Sequence, residues 1–186
     1  GHYVLLDGQR RWQCSTDLGL DEIPALIQPK PEKIENILTM FSIHKLRVDW
    51  DLMPTALKLN ELKVLLEGKG EEVSVEKLAT FTGVSKTTVE RAMELVALPQ
   101  KYQDMLMEEA KKPKGEQRVT PDVFIETYSA LRSVSKFVPE VFDRLPKEQF
   151  IESMVDKYLD KVVTNVINYR DIKKISNSKK AGVSKD

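Results

Sequence analysis

Soft metal ligands are scarce in this chain: 186 residues carry one cysteine, Cys14, and two histidines. One thiol forms no intramolecular disulfide, and no Cys/His cluster has the spacing of a zinc site. A reducing cytoplasm is the setting this implies. Long apolar runs are missing too, so no membrane-spanning helix is expected, and no secretory signal pattern opens the chain. Neither sign of charge prevails: 29 basic residues face 29 acidic ones. That balance argues against a strong, sequence-independent nucleic-acid binder, which usually shows a basic excess, but not against a module with basic groups on one face. An initiator methionine is also lacking. The chain opens at Gly1-His2 and runs into an apolar stretch, and it is expected to be a piece of a longer protein.

What is present is enough for one large domain or two small ones, with 41% apolar and 31% charged residues. Tyr3-Val4-Leu5-Leu6 reads as a short strand ended by Asp7-Gly8. A helix is expected from about Arg10 to Leu18 with Gly19 as its left-handed stop, then a second strand over Ile23–Ile27. From Glu32 onward the pattern is helical. Ile34, Ile37, Leu38 and Phe41 share one face, and Ala56, Leu57, Leu59, Leu62, Leu65 and Leu66 continue a helix with Pro54 in its first turn. Another helix follows Pro99, a loop covers Lys111–Gly115, and Thr120-Pro121-Asp122 opens a helix over Val123, Phe124, Thr127, Tyr128 and Leu131. A long helix is expected from Lys147 to Ile172, with apolar residues in adjacent pairs such as Phe150-Ile151 and Met154-Val155. Steps of four drift around a helix, so one flat neighbour does not cover that stripe. It needs several neighbours or a second chain. The stretch Arg170–Asp186 has six basic residues against two acidic and reads as a flexible basic tail.

The most informative stretch is Val73–Pro99, VSVEKLATFTGVSKTTVERAMELVALP. Leu78 and the small Ala79 fall on a first helix, Gly83 on a tight turn, and Ser85 where a second helix needs an N-cap. Val89, Ala92, Met93 and Val96 recur at spacings of three and four. Lys86, Thr87, Thr88, Glu90, Arg91 and Glu94 are left on the outer face, with Ser85 capping the helix and within reach of phosphate. Short polar and basic groups at the start of a second helix are what a DNA major groove admits. With Glu76, Glu90 and Glu94 close by, the segment is locally balanced in charge, so a dimer or a further basic element is needed for high affinity.

Tyr3–Ile27 resembles the end of the N-terminal domain of the ParB family, which reads roughly strand, Gly-Glu-Arg-Arg, helix, Gly, Pro, strand. The helix-turn-helix and the Leu98-Pro99 that closes it follow in the order that family uses. The resemblance implies DNA binding in chromosome or plasmid partition or in transcription regulation, a homodimer, a ParA-type ATPase partner and a nucleoid-associated, cytoplasmic location. Many members also bind and hydrolyse CTP in closing a clamp. Gly8, Gln9, Arg10 and Arg11 occupy the phosphate turn, where a helix N-terminus and guanidinium groups suit an anion. The alternative for either arginine is a surface pair with Asp7 or Asp17. The family's magnesium motif, Glu-Asn-x-x-Arg, falls by order on Phe41-Ser42-Ile43-His44-Lys45, and a phenylalanine offers no oxygen to a hard cation. The similar turn of sulfiredoxin carries a catalytic cysteine where this chain has Gln9; Cys14 reads as a small half-buried side chain. Asp7, Asp17, Asp21 and Glu22 have no spacing that converges on a metal, against a nuclease.

The expected fold is therefore mainly α with a small α/β N-terminal remnant. Residues 1–50 end the ParB-type N-terminal domain, 51–145 form the DNA-binding domain, 146–173 the C-terminal helix and 174–186 the basic tail. The expected function is sequence-specific binding of double-stranded DNA, without enzyme activity or a required cofactor. Two other classes stay open: a CTP-dependent switch using Gly8–Arg11, and a protein-interaction scaffold using the C-terminal helix.

Overall fold

The structure is a computed structural model, and it describes residues 3–44 and 51–178. Among the described residues the chain is helical and contains no strand. The helices are α1 (Gln9–Asp17), α2 (Lys33–His44), α3 (Leu52–Glu67), α4 (Val75–Thr82), α5 (Lys86–Val96), α6 (Gln100–Ala110), α7 (Pro121–Phe137), α8 (Lys147–Leu159) and α9 (Tyr169–Ser178). Short 3-10 turns lie at Lys114–Glu116, Pro139–Asp143 and Val166–Asn168. Contacts divide the chain into Gly1–Trp50 with Glu61–Lys86, and Asp51–Asn60 with Thr87–Asp186. The division between the two units passes through α3.

In the first unit, α2 packs against α4. Ile37, Phe41, Leu62, Leu66 and Leu78 are buried. Ile34 and Leu38, expected on the same stripe, are half-buried. The expected α/β remnant is not formed. Tyr3–Leu6 and Ile23–Ile27 are irregular and exposed. A strand needs a neighbour to accept its N–H groups, and two short apolar stretches flanking a helix do not supply one by themselves. Only the helix between them forms, and it buries none of its residues.

The second unit is organised around α7. Val123, Phe124, Thr127, Ala130 and Val134 are buried on it at helical spacing, and α8 and α9 both pack against it. The Phe124 ring lies 5.0 Å from that of Tyr102 on α6, and Phe150 of α8 meets Phe142 edge-on at 5.8 Å. A fully buried side chain such as Phe124 stabilises the unit by roughly 1.5–3 kcal/mol.

The single helix expected over Lys147–Ile172 is two helices. α8 ends at Leu159, Lys161 takes a left-handed φ of 59°, and the Asn165 side chain accepts the Ile167 N–H to start the next turn. The physical reason lies in the drifting stripe. Phe150, Ile151, Met154 and Val155 are buried, whereas Val162 and Ile167 are exposed. Breaking the helix lets a second segment return to α7 with Tyr169 and Ser176 inward. The Tyr169 hydroxyl donates to the Met154 carbonyl and ties α9 to α8.

Arg170 and Lys173, expected in a flexible basic tail, are instead engaged. Both donate to the Glu126 carboxylate on α7, each at 2.8 Å. Lys174 pairs with Asp171, and α9 continues to Ser178. The remainder of that tail, residues 179–186, lies outside the described residues. Burial pushes the Glu126 carboxyl up, but the hydrogen bonds from Lys173 and Arg170 outweigh it and hold the group below its ordinary range.

Glu126→Gln is expected to destabilise the chain by about 1–3 kcal/mol at neutral pH, measured by urea unfolding. Because the folded carboxyl titrates below the unfolded one, its contribution is complete above the ordinary value of 4.5. It fades as pH falls through the lower folded value, so the difference between wild type and variant narrows in acid. A second change acts oppositely. The Thr127 hydroxyl is buried without a hydrogen-bond partner, so Thr127→Val should raise stability by up to about 1 kcal/mol in the same assay.

Candidate functional site

The segment Ser74–Val96 builds its own corners. The Ser74 hydroxyl accepts the Lys77 N–H at 3.1 Å and caps α4, a cap the sequence pattern Ser-x-x-Lys did not advertise. At the other end Gly83 adopts φ 67°, and its N–H returns to the Ala79 carbonyl. Only glycine holds that conformation without a Cβ penalty. The buried Thr82 hydroxyl donates to the Leu78 carbonyl at 2.7 Å and accepts the Val84 N–H at 3.3 Å. The turn is therefore three residues long, Gly83-Val84-Ser85, as its letters indicate.

On α5 the buried residues are Val89, Ala92 and Leu95. Met93 and Val96, expected on this face, are half-buried, and Leu95 takes their place. The stripe steps by three rather than alternating three and four, so it lies slightly round the helix from the expected one. Ser85, Lys86, Thr87 and Glu90 are exposed, while Thr88 and Arg91 are half-buried. The structure thus brings Ser85, Lys86 and Thr87 together at the solvent-facing start of one helix, and sets Thr88 and Arg91 at its margin.

The cations here are matched by carboxylates. Lys86 pairs with Glu76 on α4, and this hydrogen bond holds the Glu76 carboxyl below its ordinary range. Arg91 reaches Asp122 in the first turn of α7. One turn on, Glu94 accepts from Arg132 of α7 at 2.9 Å. The Arg91 guanidinium is thus directed towards α7 rather than simply outward from α5. Exposed pairs of this kind are worth about 0–1 kcal/mol, so a phosphate or a base edge can displace them at small cost.

The N-terminal candidates have a different fate. Gly8 takes φ 87° before α1, so the tight turn is real. Gln9 and Arg10 are exposed in the first turn of α1. Arg11 folds back over Gly8 towards Asp7, 3.7 Å away, which is the surface-pair alternative rather than an open phosphate grip. At the place the resemblance assigns to a metal-binding acid, Phe41 is core, 3% exposed. The Ser42 hydroxyl donates to the Leu38 carbonyl. These residues do not fit a magnesium-nucleotide site. Lys45 lies outside the described residues. Cys14 is exposed rather than half-buried, and among the described residues no three His, Cys, Asp or Glu side chains are grouped to hold a metal ion.

Two features escaped sequence reasoning. Glu109, 8% exposed, accepts from Lys112 and from the Arg118 N–H and so closes the loop that delivers the chain to α7. A nonlocal carboxylate of this kind leaves no periodic signal. The other is an open concavity of about 640 Å³ on the first unit, lined by Ile34, Leu38, Ile43 and Lys69 among others.

The chain is similar to probable chromosome-partitioning ParB proteins. It is 30% identical to that of Pseudomonas putida over 105 residues, 56% of this chain and 34% of the relative. It is 33% identical to that of Neisseria meningitidis over 104 residues, again 56% and 34%. A nucleoid occlusion protein of Geobacillus kaustophilus is 27% identical over 110 residues, 59% of this chain and 37% of the relative. The chain spans about a third of the length of these curated relatives. No protein-family model matches it, and no solved structure does. Among the described residues no helix is long and apolar enough to cross a membrane. Over the matched stretch the chain resembles these ParB proteins.

Gly83→Ala is expected to lower stability by about 1–2 kcal/mol, because alanine is strained at φ 67°. Thermal denaturation followed by circular dichroism measures it.

Proposed function

We propose that this ParB-like chain binds double-stranded DNA sequence-selectively through α5, in chromosome or plasmid partition or in gene control. A cytoplasmic, nucleoid-associated protein is implied. The observation that carries the reading is the two-sidedness of α5. Val89, Ala92 and Leu95 are wholly buried, while Ser85, Lys86 and Thr87 at its start are exposed. A helix so anchored offers a rigid, polar N-terminal turn to a major groove. The names of the relatives support the same reading, since partition and nucleoid occlusion both belong to the chromosome.

Lys86 exchanges Glu76 for a phosphate oxygen, and Thr87 and Ser85 donate or accept at the backbone or a base edge. Arg91 supplies the longer reach. Because the neighbouring acids leave little net positive charge, a single copy binds modestly. A homodimer doubles the contacts, and a ParA-type ATPase is the partner this role implies. Chemistry on a nucleotide forms no part of the reading, since Phe41 stands buried where a metal-binding oxygen is needed.

Selection from a random duplex library, followed by gel-shift titration, tests the proposal. The wild-type chain is expected to enrich a defined sequence. Lys86→Ala should weaken binding to enriched and unrelated duplexes alike by about 3- to 10-fold, and flatten the salt dependence by about one counterion. Failure of the chain to retain any duplex at low salt would end the assignment. Loss of selectivity alone would reduce it to backbone binding.

A further inference from the structure

We infer that Asp122 is a positioning residue for DNA recognition, presenting the Arg91 guanidinium to a base edge. The inference rests on the DNA-binding reading above and adds a specificity determinant lying outside α5. Arg91 has a planar fork of five N–H donors. In this structure one terminal amino group, Nη2, donates to the Asp122 carboxylate, and Nε is buried without an acceptor. Nη2 is thus engaged at the surface by Asp122, and Nε is shielded from solvent. The side chain as a whole is still 41% exposed. Asp122 restrains the guanidinium plane and leaves Nη1 and the second N–H of Nη2 as the pair of donors for a bidentate contact to guanine.

The anchor is itself well held. Asp122 follows Pro121 in the first turn of α7, where the helix dipole favours a carboxylate. The N-terminal turn of α7 is kept in place by Val123 and Phe124, both fully buried. Glu94 and Arg132 form a second pair between α5 and α7, one turn along. The buried Val89, Ala92 and Leu95 fix the roll of α5 about its axis, and two cross-helix pairs of opposite polarity flank Arg91. A free arginine on a solvated helix samples many rotamers and loses that freedom on binding. Holding it beforehand removes part of that cost and narrows which base it can satisfy.

A plain electrostatic role makes a different forecast. If Asp122 only opposes the negative duplex, removing its charge strengthens binding to every sequence equally. The duplex enriched by the wild-type chain is the probe, together with versions carrying one changed base pair at each position. Asp122→Asn is expected to cut discrimination at one position by about fivefold or more, while binding to unrelated duplex is unchanged or tighter. Asp122→Glu, which retains the carboxylate, should recover part of that discrimination, and Glu108→Gln, an acid removed elsewhere, should leave it intact. In an Arg91→Ala background Asp122→Asn should have no further effect on discrimination, as coupling through one contact demands. Melting curves confirm that each variant is folded, and Asp122→Glu alone suffices if Asp122→Asn is not. Equal tightening on all duplexes, or an undiminished effect of Asp122→Asn without Arg91, overturns the positioning role. A wild-type chain that enriches nothing instead removes the DNA-binding reading, and the inference with it.

Discussion

The buried stripe of α7 is the constraint on which the C-terminal unit depends. Val123, Phe124, Thr127, Ala130 and Val134 form one apolar ridge, against which α8 and α9 both pack. Tyr102 of α6 closes on the same ridge through Phe124. The hydrophobic term draws these segments together, but it is not directional. Direction comes from Glu126, whose two oxygens take Arg170 and Lys173 of α9 and so choose one seating of that helix. The same α7 also holds Asp122 and Arg132, the partners of α5. A helix that looks purely structural thus governs the polar face on which function is proposed.

Charge in this chain is arranged locally rather than in bulk. With 29 acids against 29 bases there is no field to draw a polyanion from a distance. Instead Lys86, Arg91, Lys101, Lys112, Arg132 and Arg170 each sit beside a carboxylate. Such pairing lowers non-specific affinity, because a phosphate contact by any of these cations must displace an acid. It also makes orientation matter more than charge. A ligand gains only where its own geometry matches groups already held in place, and that favours selective over general binding.

Much of the helical framework was legible before any coordinates. Gly19 and Gly83 stop helices in left-handed conformations, and Pro54, Pro99, Pro121 and Pro146 stand at or near helix starts. These are local backbone properties, and a single sequence carries them. The failures are nonlocal. Tyr3–Leu6 and Ile23–Ile27 have the composition of strands, yet strand formation depends on a partner that composition does not specify. The Lys147–Ile172 pattern is continuous enough for one helix, yet the better burial available on α7 divides it at Asp160–Thr164. The N-terminal candidates show the same limit: the turn at Gly8 and the choice between phosphate and a nearby aspartate were readable, but not which arginine would meet which aspartate.

From its letters alone, then, this chain declares a helical protein with two short helices joined by a glycine turn and a short list of polar residues at the start of the second. Glycine turns act within a few residues, so they survive translation from sequence to structure. Tertiary packing settled which of those polar residues are accessible, that Leu95 rather than Val96 is buried, and that Arg91 is held by an aspartate 31 positions away. Those outcomes depend on which distant side chains share a small volume. Periodicity along one helix contains no record of that.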